Sequence, residues 1–120
     1  MSSHSDITLY HNPGCSKSRE ALAFLRERGV QPTVVEYLKQ PPSRATLQAL
    51  ANKMGGVRAL LRSKADVYTE LGLADAKWTD EQLLDFMGQH PVLLERPLVD
   101  TPQGARIGRP GAAVLADLLP

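Results

Sequence analysis

The chain holds one cysteine, Cys15, set in the loop His11-Asn12-Pro13-Gly14-Cys15-Ser16-Lys17-Ser18-Arg19. Asn12-Pro13-Gly14 is turn chemistry, because Asn and Gly tolerate positive φ and Pro presets its own. From Ser18 onward the chain is strong helix-forming sequence, so Cys15 falls at or just before a first helical turn. Free N–H groups and the positive end of the helix dipole favour a thiolate there. The backbone at Ser16 and Lys17 would cradle an anion by the same geometry. Lys17 and Arg19 add positive charge, and the Ser16 and Ser18 hydroxyls can donate to sulfur. A lone free cysteine is more commonly buried and inert. The Pro-Gly turn before this one and the polar Ser-Lys-Ser after it point instead to a reactive thiol.

Three arginines outside the loop could serve such a thiol. Arg62 closes a short apolar helical piece. Arg96 precedes Pro97 where a strand begins, and Arg109 precedes Pro110 where a helix begins. A residue before proline is biased to extended geometry, and binding residues gather at the ends of elements. Arginine clasps a tetrahedral oxyanion with two parallel hydrogen bonds. Three arginines around one thiolate would bind a multiply charged anion and stabilise charge as sulfur attacks. His11, if protonated near neutral pH, would favour the thiolate by proximity. Otherwise it would hydrogen-bond the loop backbone. His4 lies in a polar terminus expected to fray over residues 1–5, and His90 reads as a helix-end residue.

Composition narrows the classes. Hydrophobic residues at 42% and charged residues at 22% suit one soluble domain spanning all 120 residues. A net charge of +1 gives no support for nucleic-acid binding. No apolar run reaches membrane-spanning length, and no secretory signal is visible. One cysteine excludes an internal disulfide and a cysteine-rich metal site, so no metal is expected. A reducing, cytoplasmic setting fits best, and any resolving thiol must come from another molecule.

The elements that must position these residues follow in order. Ile7, Leu9 and Tyr10 read as a strand, the helix after Cys15 stops at Gly29, and Thr33–Leu38 reads as a second strand. Together they make a right-handed parallel βαβ unit. Residues 43–90 form a helical block. Within it Ser43 caps a helix with Leu47, Leu50, Ala51 and Met54 on one face. Val57–Arg62 and Tyr68–Leu73 are short helical pieces. Thr79 and Gln82 form a capping box before a helix carrying Leu83, Leu84, Phe86 and Met87. Pro91–Asp100 returns to extended sequence, and residues 101–104 turn into a hairpin partner at 105–108. Pro110 suits the first position of a final helix with Val114, Leu115, Leu118 and Leu119 as its apolar set. The order predicts an α/β thioredoxin-like fold. Its sheet is mixed, of about four strands, flanked by helices, with a helical insertion in mid-chain.

The loop HNPGCSKSR, the segment VRALLR followed by YTELGL, the ERPLV strand start and the RIGRP turn lie in one register. Together they resemble the glutaredoxin- and glutathione-coupled arsenate reductase family, from about Ile7 to Leu119. The resemblance implies that Cys15 attacks arsenate and forms a sulfur–arsenic bond. It implies that His11 helps lower the thiol pKa and that Ser18 hydrogen-bonds the thiolate. Arg62, Arg96 and Arg109 would bind the oxyanion, with Asn12 and Pro97 structural beside the site and Pro97 of either isomer. Glutathione would be the co-substrate, glutaredoxin would reduce the adduct, and no tightly bound cofactor would be needed. Two alternatives stay open. One is a glutathione-dependent thiol oxidoreductase with another substrate. The other is an Spx-like redox regulator that binds a protein partner, although Ser18 where that branch often has a second cysteine forbids an internal switch.

Overall fold

The computed structural model describes residues 6–119. The expected fraying of residues 1–5, and His4 with it, lies outside them. Two compact units are present, one holding the chain up to Gln40 and from Arg96, the other Pro41–Glu95.

The first unit contains a four-stranded sheet with β1 at Thr8–His11, β2 at Thr33–Glu36, β3 at Leu98–Thr101 and β4 at Gly104–Ile107. The strand order is β2-β1-β3-β4. β1 runs parallel to β2, with Leu9 opposite Val34, and antiparallel to β3, with Leu9 opposite Val99. The sheet is therefore mixed, and the arrangement is the thioredoxin-like α/β one expected. Helix α1, Ser16–Glu27, connects the two parallel strands. Its inward stripe is Ser18, Ala21 and Leu25, at i, i+3 and i+7. Ala21 and Leu25 join Ile7, Leu9, Val30, Val99, Ala112 and Leu115 in one buried cluster. Burying each large aliphatic side chain there contributes about 1.5–3 kcal/mol. α1 stops where Gly29 takes φ +78, which glycine adopts without steric cost.

The second unit holds α2 at Arg44–Met54, α3 at Asp66–Glu70 and α4 at Asp80–Gln89. Ser43 caps α2, accepting from the Thr46 N–H at 3.2 Å. The capping box of α4 is complete. The Gln82 N–H donates to Thr79 Oγ1 at 3.2 Å, and the Thr79 N–H donates to Gln82 Oε1 at 2.9 Å. Leu47, Leu50, Leu60, Leu83, Leu84 and Met87 are buried.

Three expectations need correction. The piece after Gly56 is a 3-10 turn, Val57–Leu60, that ends before Arg62. Leu61 is instead extended and bridges Leu94. Pro91–Leu93 is also a 3-10 turn rather than strand, because the Leu93 N–H returns to the His90 carbonyl at 2.9 Å. Phe86 is half-buried and meets Trp78 edge-on, with ring centroids 5.0 Å apart, outside the apolar stripe of α4. The last helix is a 3-10 helix, Ala112–Leu118, not an α-helix opened by Pro110. Three residues per turn put Ala112, Leu115 and Leu118 on the buried side, so Val114 and Leu119 pack only at its margin. Both Arg96–Pro97 and Arg109–Pro110 are cis.

Candidate active site

Cys15 is the N-cap of α1, with φ −101° and ψ 124°. Its loop is held by its own polar groups. The Cys15 N–H donates to the Asn12 carbonyl at 2.9 Å, and the Gly14 N–H donates to Asn12 Oδ1 at 3.0 Å. Arg19 reaches back from α1 and donates from Nη1 to the Pro13 carbonyl at 2.7 Å. The first turn of α1 carries no acidic residue and no side-chain oxygen caps it. The Cys15 sulfur therefore stands where a capping oxygen ordinarily sits, facing the N–H groups two and three residues on. It makes no tight capping hydrogen bond, yet those groups still act on its charge. Burial pushes the thiol up, but the Ser18 N–H, the Arg96 guanidinium and the Lys17 N–H favour the thiolate. With the Arg96 charge added, the thiol lies below its ordinary pKa.

β3 and β4 deliver the two arginines. Arg96 precedes the first residues of β3, and Arg109 follows β4 by two residues. Arg109 Nη2 lies 3.5 Å from Cys15 Sγ, across 94 residues of sequence, and Arg109 Nε donates to the Arg96 carbonyl at 2.8 Å. The Gly108 N–H donates to the Pro97 carbonyl at 2.8 Å, so both Arg-Pro pairs are tied to each other. Two of the three predicted arginines, Arg96 and Arg109, lie in the unit that holds the thiol. Arg62 belongs to the other unit, where Nη1 pairs with Glu95 Oε1 at 2.7 Å and its N–H donates to the Leu93 carbonyl at 2.7 Å.

His11 and Ser18 sit differently from expectation. Ser18 is fully buried, and its hydroxyl does not serve the sulfur. It lies 2.7 Å from His11 Nδ1 and accepts the Asn12 N–H at 3.0 Å. The reason is the inward stripe of α1. A polar group buried there must find partners, and β1 supplies one in His11. The Ser18 N–H, not its hydroxyl, acts on Cys15. His11 is 5% exposed. Burial lowers its pKa, Glu36 opposes this, and Arg26 and Arg19 reinforce the lowering, so the protein disfavours the charged ring. Of the two readings of His11, the one that has it hold the loop draws support from its bond to the Ser18 hydroxyl. Ser16 is exposed. Residues missed from sequence are Glu95, which engages Arg62, and Glu20, whose Oε1 accepts the Ala112 N–H at 2.9 Å. Neither has a local signal, since each pairing spans most of a unit. No cluster of His, Cys, Asp and Glu suited to a metal occurs among the described residues.

The chain matches the ArsC family over residues 10–116. It is 54% identical over 117 residues to an arsenate reductase of Escherichia coli, covering 97% of this chain and 82% of that protein. It is 49% identical to uncharacterized protein YfgD of Escherichia coli strain K12, covering 91% and 93% of the two. The solved structure of an arsenate reductase from Vibrio cholerae superposes with a TM-score of 0.89 at 43% identity, over 94% of this chain and 97% of that one. By the family match over residues 10–116 and the 54% identity across nearly the whole chain, this protein belongs to the ArsC family.

Proposed function

We propose that this protein is an arsenate reductase in which Cys15 is the nucleophile and Arg96 and Arg109 bind the oxyanion. One observation carries the reading, namely the Arg109 guanidinium 3.5 Å from a sulfur at the N-terminus of α1, with the Arg96 guanidinium also favouring the thiolate. A tetrahedral oxyanion placed against that sulfur meets two planar donor forks and the α1 N-terminus. The thiolate attacks arsenic and expels one oxygen as water, giving a sulfur–arsenic(V) bond. The arginines neutralise charge as it gathers on the remaining oxygens. A glutathione thiol then attacks the adduct. A disulfide forms between glutathione and Cys15, the electron pair stays on arsenic, and arsenite leaves. Glutaredoxin reduces the mixed disulfide. Both reducing thiols come from outside, as a chain with one cysteine requires. The reaction draws on no resident cofactor and suits the reducing cytoplasm. His11 and Asn12 hold the loop through the Ser18 hydroxyl, and Pro97 sets the Arg96 backbone. For Arg62 the support is the family resemblance alone, with its Nη1 paired to Glu95.

The test is NADPH oxidation that depends on arsenate, coupled through glutathione, glutaredoxin and glutathione reductase. Wild type turns over, Cys15→Ser is silent, and Arg96→Ala loses roughly 100-fold or more in kcat/KM. Turnover in Cys15→Ser refutes the nucleophile. Arsenate-independent disulfide reduction that survives Arg96→Ala identifies a general thiol oxidoreductase instead.

A further inference from the structure

Arg109 makes its two bonds from a short link between β4 and the final 3-10 helix, and the structure shows what holds that link. Its incoming end is fixed by the Gly108 N–H on the Pro97 carbonyl, at 2.8 Å. Its outgoing end, Ala112, opens the 3-10 helix, whose N-cap is Gly111. Glycine has no side chain to accept the first free N–H groups, which need a partner. Glu20 provides one, its Oε1 accepting the Ala112 N–H at 2.9 Å across 92 residues of sequence. Glu20 stands on α1, five residues past Cys15, about 7.5 Å along the helix. The same rigid helix therefore carries both the nucleophile and the acceptor that pins the arginine's link. Lys17, at 4.0 Å from Glu20 Oε2 across one helical turn, steadies the carboxylate on the side toward Cys15.

We infer that Glu20 is a positioning residue for the thiolate site, acting as a strut that sets Arg109 against Cys15 and so against the oxyanion. It touches neither the sulfur nor the substrate. The charge of Glu20 is not what the strut needs, because an amide oxygen accepts the same N–H. A carboxylate near a thiolate would, if anything, oppose its ionisation. The inference rests on the arsenate reading for its kinetic consequence only, since the contact to Cys15 exists whatever the substrate.

The experiment compares Glu20→Ala with Glu20→Gln in two readouts. The first is the pH profile of Cys15 alkylation by iodoacetamide, which requires no oxyanion. The strut predicts a profile displaced to higher pH in Glu20→Ala and recovered in Glu20→Gln. The second is the arsenate dependence of coupled NADPH oxidation. Here the strut predicts KM raised about fivefold or more in Glu20→Ala, the scale of one lost hydrogen bond, with most of the loss recovered in Glu20→Gln. Glu20 is on the surface, and thermal melts verify that both variants fold. Identical behaviour of the two variants in alkylation overturns the strut, because only a charge effect treats them alike. If wild type turns over no arsenate while the alkylation profiles still separate, the substrate reading falls and the strut stands.

Discussion

At the N-cap of α1 a thiol occupies the place that a hydroxyl or carboxylate oxygen ordinarily fills, and this has two consequences at the scale of single residues. Cys15→Ser removes the nucleophile, but it also installs a preferred capping residue. The variant should therefore lose turnover while its melting temperature stays equal or rises, which a thermal melt beside the activity assay checks. The second concerns ionisation. The Cys15 pKa is lowered by the Ser18 and Lys17 N–H groups and by Arg96, against burial. Alkylation of wild type should reach half its maximal rate below about pH 8.5, the value of a free cysteine. Arg96→Ala should move that midpoint upward, since it removes both a hydrogen bond and a charge that favour the thiolate. An unmoved midpoint would leave Arg109 and the helix N-terminus as the activators.

At the scale of elements, caps and close approaches hold the pieces. Thr79 and Gln82 satisfy two N–H groups at the start of α4 reciprocally, as the sequence pattern predicts. Thr79→Ala should cost about 1 kcal/mol, a loss of a few degrees in the thermal midpoint, with activity retained. Gly108 is a different case. A Cβ there would lie 3.0 Å from Pro97 Cγ and 3.4 Å from Leu115 Cδ1. The Pro97 ring cannot swing aside, and its carbonyl is bonded to the Gly108 N–H. Gly108→Ala should thus destabilise by about 1–3 kcal/mol, as overpacking does. It should also weaken arsenate turnover by spreading the two Arg-Pro pairs. Denaturant unfolding and the coupled assay read the two effects separately. Turn residues at 101–104 and caps at Ser43 and Thr79 are legible locally because each acts within a few residues. The 3-10 form of Ala112–Leu118 is not, because the spacing of Leu115, Leu118 and Leu119 fits an α-helix as well. Only the packing of every third residue against the unit's core distinguishes the two.

For the molecule as a whole, two buried groups, His11 and Tyr10, make stability depend on pH at opposite ends of the range. The folded-state pKa of His11 is lowered by burial, helped by Arg26 and Arg19 against Glu36. The unfolded chain therefore binds the proton first as pH falls. The stability this group contributes is fully present above about pH 6.5 and is lost as pH falls from there through the lowered folded pKa. Tyr10 is raised above 10.0 by burial and by Asp100. Its contribution is present below about pH 10 and is lost as pH rises through the raised value. Unfolding free energies measured from pH 5 to pH 11 should fall at both ends. His11→Asn should flatten the acid limb alone, and Tyr10→Phe the alkaline limb alone.

By itself the sequence determined the chemistry of the site and the order of the elements. A lone cysteine between a Pro-Gly turn and a helical run is a local pattern. So are the hydrophobic periods of the strands and helices, and all of these are written within a dozen residues. The family resemblance supplied candidate roles for the distant arginines. Tertiary structure alone decided who meets whom. It seated Arg109 on the Cys15 sulfur and paired Arg62 with Glu95. It placed the Ser18 hydroxyl against His11 and gave Glu20 the Ala112 N–H. Each of these depends on which buried polar group must be satisfied and on which acceptor a folded backbone brings within 3 Å or so. Residue type and spacing leave that choice open until strands and helices pack.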